Sequence, residues 1–244
     1  DMFITSTHDY VLFFTNRGKM YRMKGYEIPE TGRAARGSHV VNLLPIEKDE
    51  KISAMIRVDE VENDSYLVMV TRNGTIKRTA LSAYRNVRKG GIIAINLEEG
   101  DELAWVRNTT GEDDLIIATR QGVAIRFAES DVRPMGRTAT GVRAIRLDEG
   151  DEVIAMATCE EGGYLLTVTE NGQGRRTALG EYRTQNRGGR GVRNYDCEGK
   201  GTLVAGVRVV GEEDDVILIA DDGIIIRIPC KQIAVQSRYG GGVH

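Results

Sequence analysis

Aromatic side chains are scarce in this sequence: they make up 6% of its 244 residues, with one tryptophan and four phenylalanines. Recognition of single-stranded nucleic acid needs repeated aromatic platforms, so that mode fits poorly. Cysteine is equally thin. Cys159, Cys197 and Cys230 are odd in number and far apart, which argues for reduced, buried thiols and a cytoplasmic location rather than a disulfide framework. Histidine occurs only at 8, 39 and 244, and none has a Cys or Asp partner at metal-ligand spacing. No apolar run approaches the roughly 18 residues that a membrane span needs. The opening DMFITSTHDY has neither the basic nor the apolar region of a secretory signal. Four prolines beside 29 glycines point to many tight turns rather than a disordered chain.

What is present is a repeat. Five copies of one pattern run along the chain: LFFTNRGKMYR, LVMVTRNGTIKR, LIIATRQGVAIR, LLTVTENGQGRR and ILIADDGIIIR. Their turn glycines are Gly18, Gly74, Gly122, Gly172 and Gly223, spaced by 56, 48, 50 and 51 residues. Four residues after each glycine stands an arginine: Arg22, Arg78, Arg126, Arg176 and Arg227. A second glycine follows 17 or 19 residues after the first, at Gly37, Gly91, Gly141, Gly191 and Gly242. Apolar segments such as HVVNLL, IIAINL and VRAIRL come next, read as returning strands. X-Gly between β-rich runs signals a hairpin, expected here as a type I′ turn with positive φ at both central residues. No stretch sustains a 3.6-residue period, so helices should be few and short. Four strands per unit at a period near 50 predict an all-β, propeller-like array in one domain spanning residues 1–244. Its repeats are placed at 1–51, 52–102, 103–152, 153–202 and 203–244.

Charge is sorted by repeat position. Over residues 17–37, 72–91, 120–143, 170–191 and 221–242, from each hairpin turn to its second glycine or just past it, the five units hold 25 basic and 8 acidic residues; the rest of the chain holds 8 basic and 28 acidic. The net charge of −3 hides this separation, and distribution rather than the mean decides the partner. A radial array would gather the basic loops into one stripe suited to a phosphate backbone. The candidate DNA-contacting residues are Arg22, Arg33, Arg36, Arg78, Arg85, Arg88, Lys89, Arg126, Arg133, Arg137, Arg176, Arg183, Arg187, Arg190, Arg227 and Arg238. No recognition helix or zinc-finger spacing accompanies them, so sequence-independent contact to bent duplex is the expected mode. Tyr84, Tyr182 and Tyr239 lie in or near these loops; packing beneath them is the favoured role, sugar or phosphate contact the alternative. The EGDE turns at 99–102 and 149–152 are read as solvated caps rather than a metal site. Trp105 reads as core.

These motifs carry a resemblance. TSTHDYVLFFTNRGKMYRMKGYEIPETGRAARGSHVVNLLPIEKDEKI, TRNGTIKRTAL, VRPMGRTATGVRAIRLDEGDEV and TENGQGRRTALGEY closely resemble the C-terminal domain of DNA gyrase A subunits, over essentially the whole chain. The resemblance implies a six-bladed β-pinwheel with strands exchanged between neighbouring blades, five of them visible here. It implies a rim that binds, bends and wraps duplex DNA and presents a segment to the gyrase cleavage core for ATP-dependent negative supercoiling. Gln185, Asn186, Arg187, Gly188, Gly189, Arg190 and Gly191 look like the gyrase A-subunit box, with Asn186 departing from its usual basic residue. In the family that box belongs to the first blade, so this chain is expected to begin at the second. The implied partners are duplex DNA and the rest of the gyrase A subunit, through which the gyrase B protein is reached, in the cytoplasm at the nucleoid and away from membranes. No cofactor or catalytic residue is expected in this part, since ATP and Mg act elsewhere in the holoenzyme. Two alternatives stay open: the related domain of the topoisomerase IV A-type subunit, and a protein-interaction propeller.

Overall fold

A computed structural model describes residues 4–59 and 64–244. Within them the chain is built of strands, seven short 3-10 turns and one helix, α1 (Cys197–Lys200). The strands are β1 (Tyr10–Thr15), β2 (Lys19–Lys24), β3 (Ile52–Val58), β4 (Tyr66–Thr71), β5 (Thr75–Ala80), β6 (Ile92–Ile93), β7 (Leu103–Thr109), β8 (Asp114–Thr119), β9 (Val123–Ala128), β10 (Val142–Arg143), β11 (Val153–Thr158), β12 (Tyr164–Thr169), β13 (Gly174–Ala178), β14 (Val192–Arg193), β15 (Val204–Val210), β16 (Asp215–Ile219) and β17 (Ile225–Pro229). The expected all-β class and the scarcity of helix both hold. Packing divides the chain into two compact units, Asp1–Gly111 with Val132–Val142 and Glu112–Asp131 with Arg143–His244.

In the first unit one antiparallel sheet has the order β3-β1-β2-β6, and a second runs β5-β4-β7 with Val142 of β10 beside β5. In the second unit the sheets are β11-β8-β9-β14, β13-β12-β15 and β16-β17. Each sheet is seeded by a hairpin. The first hairpin strand lies centrally in the four larger sheets, which is why VLFF, LVMV and LIIA read as continuous apolar runs: residues on both faces are buried. Their side chains form a cluster in the first unit around Phe14, Met20, Leu67, Met69, Tyr84 and Ile95. In the second unit the counterpart surrounds Ile116, Ala124, Leu165, Tyr182 and Tyr195. Phe14 meets the Tyr84 ring edge-on at 6.4 Å. Removing so large a buried ring costs about 3–5 kcal/mol.

The sheets exchange strands, as the resemblance implied. β6 follows the second hairpin yet pairs with β2 of the first, Lys19 opposite Ile93 and Met20 opposite Ile92. In the second unit β14 follows the fourth hairpin and pairs with β9 of the third. These returning strands are only two residues long. HVVNLL does not form one: Val40–Asn42 is a 3-10 turn. The longer outer strand of each larger sheet comes after the acidic turn (β3, β7, β11) or after α1 (β15) and lies against the preceding hairpin, as β3 does on β1.

The five turn glycines have φ between 80° and 89°, as expected, but no described residue other than glycine has positive φ. That rules out type I′ turns. Instead Gly18 N–H closes on Thr15 O at 3.0 Å, giving a three-residue loop in which only the last residue must be left-handed. A buried threonine supports the loop in four repeats. The hydroxyl oxygens of Thr15, Thr71, Thr119 and Thr169 accept from the N–H of Lys19, Thr75, Val123 and Gln173 at 3.1–3.3 Å.

The same glycine is where repeats meet. Gly122 O accepts from the N–H groups of Asn194 and Tyr195 at 2.7 and 3.0 Å, and Gly18 O accepts from Ala94 and Ile95 at 2.7 and 3.2 Å. A side-chain carbon at Gly18 would lie 2.6 Å from Ile95 O, and one at Gly122 would overlap Tyr195 O. Gly122→Val should therefore cost at least about 3 kcal/mol in urea denaturation, through backbone strain and steric overlap together. Gly136→Ala, with open space and no positive φ, should stay within about 1 kcal/mol of wild type.

Candidate nucleic-acid interface

The arginines four residues after the turn glycine point along the sheet toward the next repeat. Arg22 Nη1 donates to Arg85 O at 2.8 Å, Arg78 Nε to Val132 O at 2.7 Å, Arg126 Nη1 to Leu179 O at 3.0 Å and Arg176 Nε to Ile233 O at 2.9 Å. The residue that opens each hairpin covers the other side of the guanidinium. Tyr10, Tyr66 and Tyr164 place their rings 4.5–4.8 Å from Arg22, Arg78 and Arg176. Asp114 and Asp215 take that place for Arg126 and Arg227, accepting at 3.2 and 2.9 Å from Nε. Arg78 and Arg176 are buried. These five arginines sit at one register position, but four of them are clamps on a neighbouring loop.

The loop they clamp is tied down again from its far end. Arg187 Nη1 donates to Arg143 O and Arg238 Nη1 to Arg193 O, each at 2.7 Å, and Arg137 Nη1 donates to Ile93 O. All three stand four residues before the second glycine, and each grips the short strand one repeat earlier. The box-like loop is thus a strap. Gln185 N–H donates to Arg126 O at 2.7 Å, Gly188 N–H to Ala144 O at 2.8 Å, and Gly189 O accepts from Arg146 N–H at 2.8 Å. Gly188 and Gly191 have φ of 86° and 79°, and a carbon on Gly191 would overlap Ala124 O. Asn186 is exposed. The Arg187 main-chain N–H faces Asp131 at 3.4 Å.

The remaining cations are on the surface. Arg33, Arg36, Arg85, Arg88, Lys89, Arg133, Arg183 and Arg190 are all exposed. Arg85, Arg133 and Arg183 share one position, eleven residues after the turn glycine. Arg143 and Arg193, on β10 and β14, are exposed as well; neither is among the residues singled out from the sequence, where VRAIRL reads as an apolar returning strand. Among the described residues, Arg33, Arg36, Arg88, Lys89, Arg133, Arg183 and Arg190 make no carboxylate ion pair. The hairpin turns differ. Arg17 pairs with Glu47, Arg72 with Glu102 at 3.0 Å, and Arg120 with both Glu152 and Glu170. Asp101 and Asp151 cap the same turns, accepting from Asn73 and Gln121 N–H at 3.1 and 2.9 Å. The acidic EGDE segments are turn caps, as read, and they neutralise the hairpin ends. The loop ends keep their charge.

Tyr84 and Tyr182 are buried beneath their loops, as favoured, whereas Tyr239 is 68% exposed with Arg238 over its ring at 5.2 Å. Tyr239 lies six positions later in the repeat than the other two, past the buried turn. Trp105 is half-buried, with Arg72 5.8 Å from its ring. The three cysteines are free and buried, and burial pushes the Cys159 thiol up to about 12. Among the described residues no group of three or more His, Cys, Asp or Glu side chains could hold a metal, and no helix is long and apolar enough to cross a membrane. Sequence reasoning missed two fully buried cations, Lys77 and Arg175. The doublets IKR and GRR could have revealed them, because adjacent strand residues face opposite sides.

The protein-family model described as "DNA gyrase C-terminal domain, beta-propeller" matches residues 9–59, 65–110, 113–160, 163–210 and 214–244. The chain belongs to the DNA gyrase A C-terminal domain family. It is 60% identical over 242 residues to the DNA gyrase A subunit of Halalkalibacterium halodurans and 53% identical over 243 residues to that of Clostridium acetobutylicum. The matches cover 99% and 100% of this chain but 29% of each relative, so the chain spans under a third of their length. Among solved structures, the C-terminal domain of a DNA topoisomerase IV matches with a TM-score of 0.89 and 30% identity, over 97% of this chain and 74% of that one. A DNA gyrase A C-terminal domain matches with a TM-score of 0.83 and 26% identity, over 98% and 78%. The five matched segments each begin at a hairpin and, in the first four, end at or just after the longer outer strand, β3, β7, β11 or β15.

For this gyrase A C-terminal domain the two classes of arginine should separate experimentally. Arg176→Ala leaves Ile233 O without its donor and should lower unfolding stability by about 1–3 kcal/mol. Arg190→Ala should change stability by less than about 0.5 kcal/mol, measured by the same urea titration.

Proposed function

We propose that this chain is a non-catalytic module that binds duplex DNA along its phosphate backbone, bends and wraps it, and presents a segment to the cleavage core of gyrase for ATP-dependent negative supercoiling. The observation that carries this reading is the set of exposed arginines and lysine left without carboxylate partners on the loops, in a chain whose acids lie mostly outside those loops. Phosphates are the natural counter-charge, and guanidinium forks on glycine-rich loops suit them geometrically. The reading assigns contact to Arg33, Arg36, Arg88, Lys89, Arg133, Arg183 and Arg190, and to Arg85 by its shared position in the repeat with Arg133 and Arg183. It assigns loop-holding to Arg22, Arg78, Arg126, Arg137, Arg176, Arg187 and Arg238, while Arg227 is held by Asp215. Family membership supports it, since the relatives are gyrase subunits. Their identity of 53–60% favours gyrase over topoisomerase IV. The remaining partners are then the rest of the gyrase A subunit, through which the gyrase B protein is reached; ATP and Mg act there, and the site of action is the nucleoid.

Affinity for a duplex should fall roughly 10³–10⁵-fold between 50 and 200 mM salt if on the order of ten phosphates are contacted. Replacing Arg88, Arg183 or Arg190 by Ala should weaken duplexes of any sequence alike and reduce the salt slope by about one per contact. Fluorescence anisotropy across a salt series measures both. Binding insensitive to salt, or a protein ligand that ignores these substitutions, would favour the protein-interaction propeller instead.

A further inference from the structure

Lys77 and Arg175 occupy the same position, three residues after the turn glycine, in the second and fourth repeats. Both side chains are fully buried. Lys77 Nζ donates to Ala94 O and Arg137 O. The Arg175 guanidinium donates to Asn194 O, to Arg238 O at 2.9 Å and to Gly240 O at 3.0 Å, and meets Thr177 Oγ1 at 2.6 Å. The acceptors correspond residue by residue. Ala94 and Asn194 both stand three residues after a second glycine; Arg137 and Arg238 both stand four before one. Among the described residues neither cation is paired with a carboxylate. Two buried positive charges satisfied almost entirely by main-chain oxygens are costly for a sheet to carry, and the other repeats place Tyr21, Ile125 and Ile226 here instead.

We propose that Lys77 and Arg175 are positioning residues: each holds, from beneath, the loop of the following repeat (132–141 and 234–242) and fixes its main-chain orientation, which in 132–141 is the orientation in which Arg133 is presented to a polyanion. This rests on the DNA-binding reading above. The device joins three parts at one point, since the carbonyl that each cation grips belongs to the very arginine that staples the preceding short strand.

The two positions differ chemically. Arg175 stays charged at all accessible pH values. Burial, aided by the nearby Arg137 guanidinium, lowers the Lys77 ammonium to about 7. The groups facing Lys77 are Arg137 on the loop and Tyr84, whose ring lies 5.9 Å away and whose own phenol is raised by burial; β4 offers Met69 opposite. Phosphates laid on the loop would favour the protonated amine, so binding takes up a proton. Affinity should then fall as pH rises from about 7 to 9, by at most tenfold per pH unit.

The test measures duplex affinity by anisotropy between pH 6 and 9, with amide hydrogen exchange of the free protein at matched pH. Wild type should lose affinity several-fold across that range. Lys77→Arg should bind at least as well as wild type and lose the pH dependence. Arg175→Lys should make amide exchange in 234–242 pH-dependent. Lys77→Met should weaken binding about tenfold and speed exchange in 132–141 while leaving 182–191 unchanged. Exchange in 132–141 equal to wild type in Lys77→Met overturns the positioning role, as does an unchanged pH profile in Lys77→Arg. If Lys77→Met fails to fold, the Lys77→Arg and Arg175→Lys profiles decide. A wild type that shows no salt-dependent DNA binding sinks the functional reading, and the exchange comparison still settles whether the cation holds the loop.

Discussion

The close approach of one main chain to another at the turn glycines is the constraint on which this structure depends. Gly18 and Gly122 each turn a carbonyl oxygen toward two successive N–H groups of the following repeat, and no side chain fits between. The hairpin loop can end there only because glycine tolerates the left-handed conformation. Once that contact is made, the short strands β6 and β14 are delivered to the edge of the preceding sheet. The second glycine, as at Gly191 beside Ala124, lets the loop cross the same strand. For β6 and β14, strand exchange thus depends on two missing side chains, at Gly18 and Gly91 and at Gly122 and Gly191, and the apolar clusters fill the space that these crossings define.

Around that contact the cations serve two ends. Those that reach inward replace the backbone partners that an irregular loop cannot supply for itself. Arg78, Arg126 and Arg176 hold carbonyl oxygens that would otherwise face a buried region without a donor. A charged donor is well suited, since its hydrogen bonds are stronger than neutral ones. Those that reach outward are left to solvent, while acids such as Glu102, Asp101, Asp151 and Glu152 cap or pair the hairpin turns. Surface ion pairs such as Arg72 with Glu102 add at most about 1 kcal/mol each, so the segregation of charge has little to do with stability. Its effect is on the field that the loops project.

Much of this was legible in the sequence because glycine and arginine recur in register. The period, the hairpins, the positive φ at the turn glycines and the turn-capping acids all followed from spacing. The turn type did not, because X-Gly is compatible with both a two-residue and a three-residue loop and only the ladder decides. The division of labour among the arginines was not legible either. Arg22 and Arg183 are the same residue type in the same basic zone, yet one donates to a carbonyl of the next repeat and the other faces water. That difference is set by contacts between segments 53–63 residues apart, such as Arg22 with Arg85, which a single repeat does not encode. Lys77 was overlooked for a related reason: lysine inside a sheet contradicts ordinary burial preference, and only its two carbonyl partners make sense of it.

The stapling of each loop to the strand one repeat upstream has a mechanical side. Arg238 anchored on Arg193 of β14 means that tension on its loop is borne by the edge of the preceding sheet as well as by the loop's own stem. A stiff polymer straining to straighten would therefore pull across hydrogen bonds arranged side by side, and load shared in parallel resists peeling far better than load taken one bond at a time.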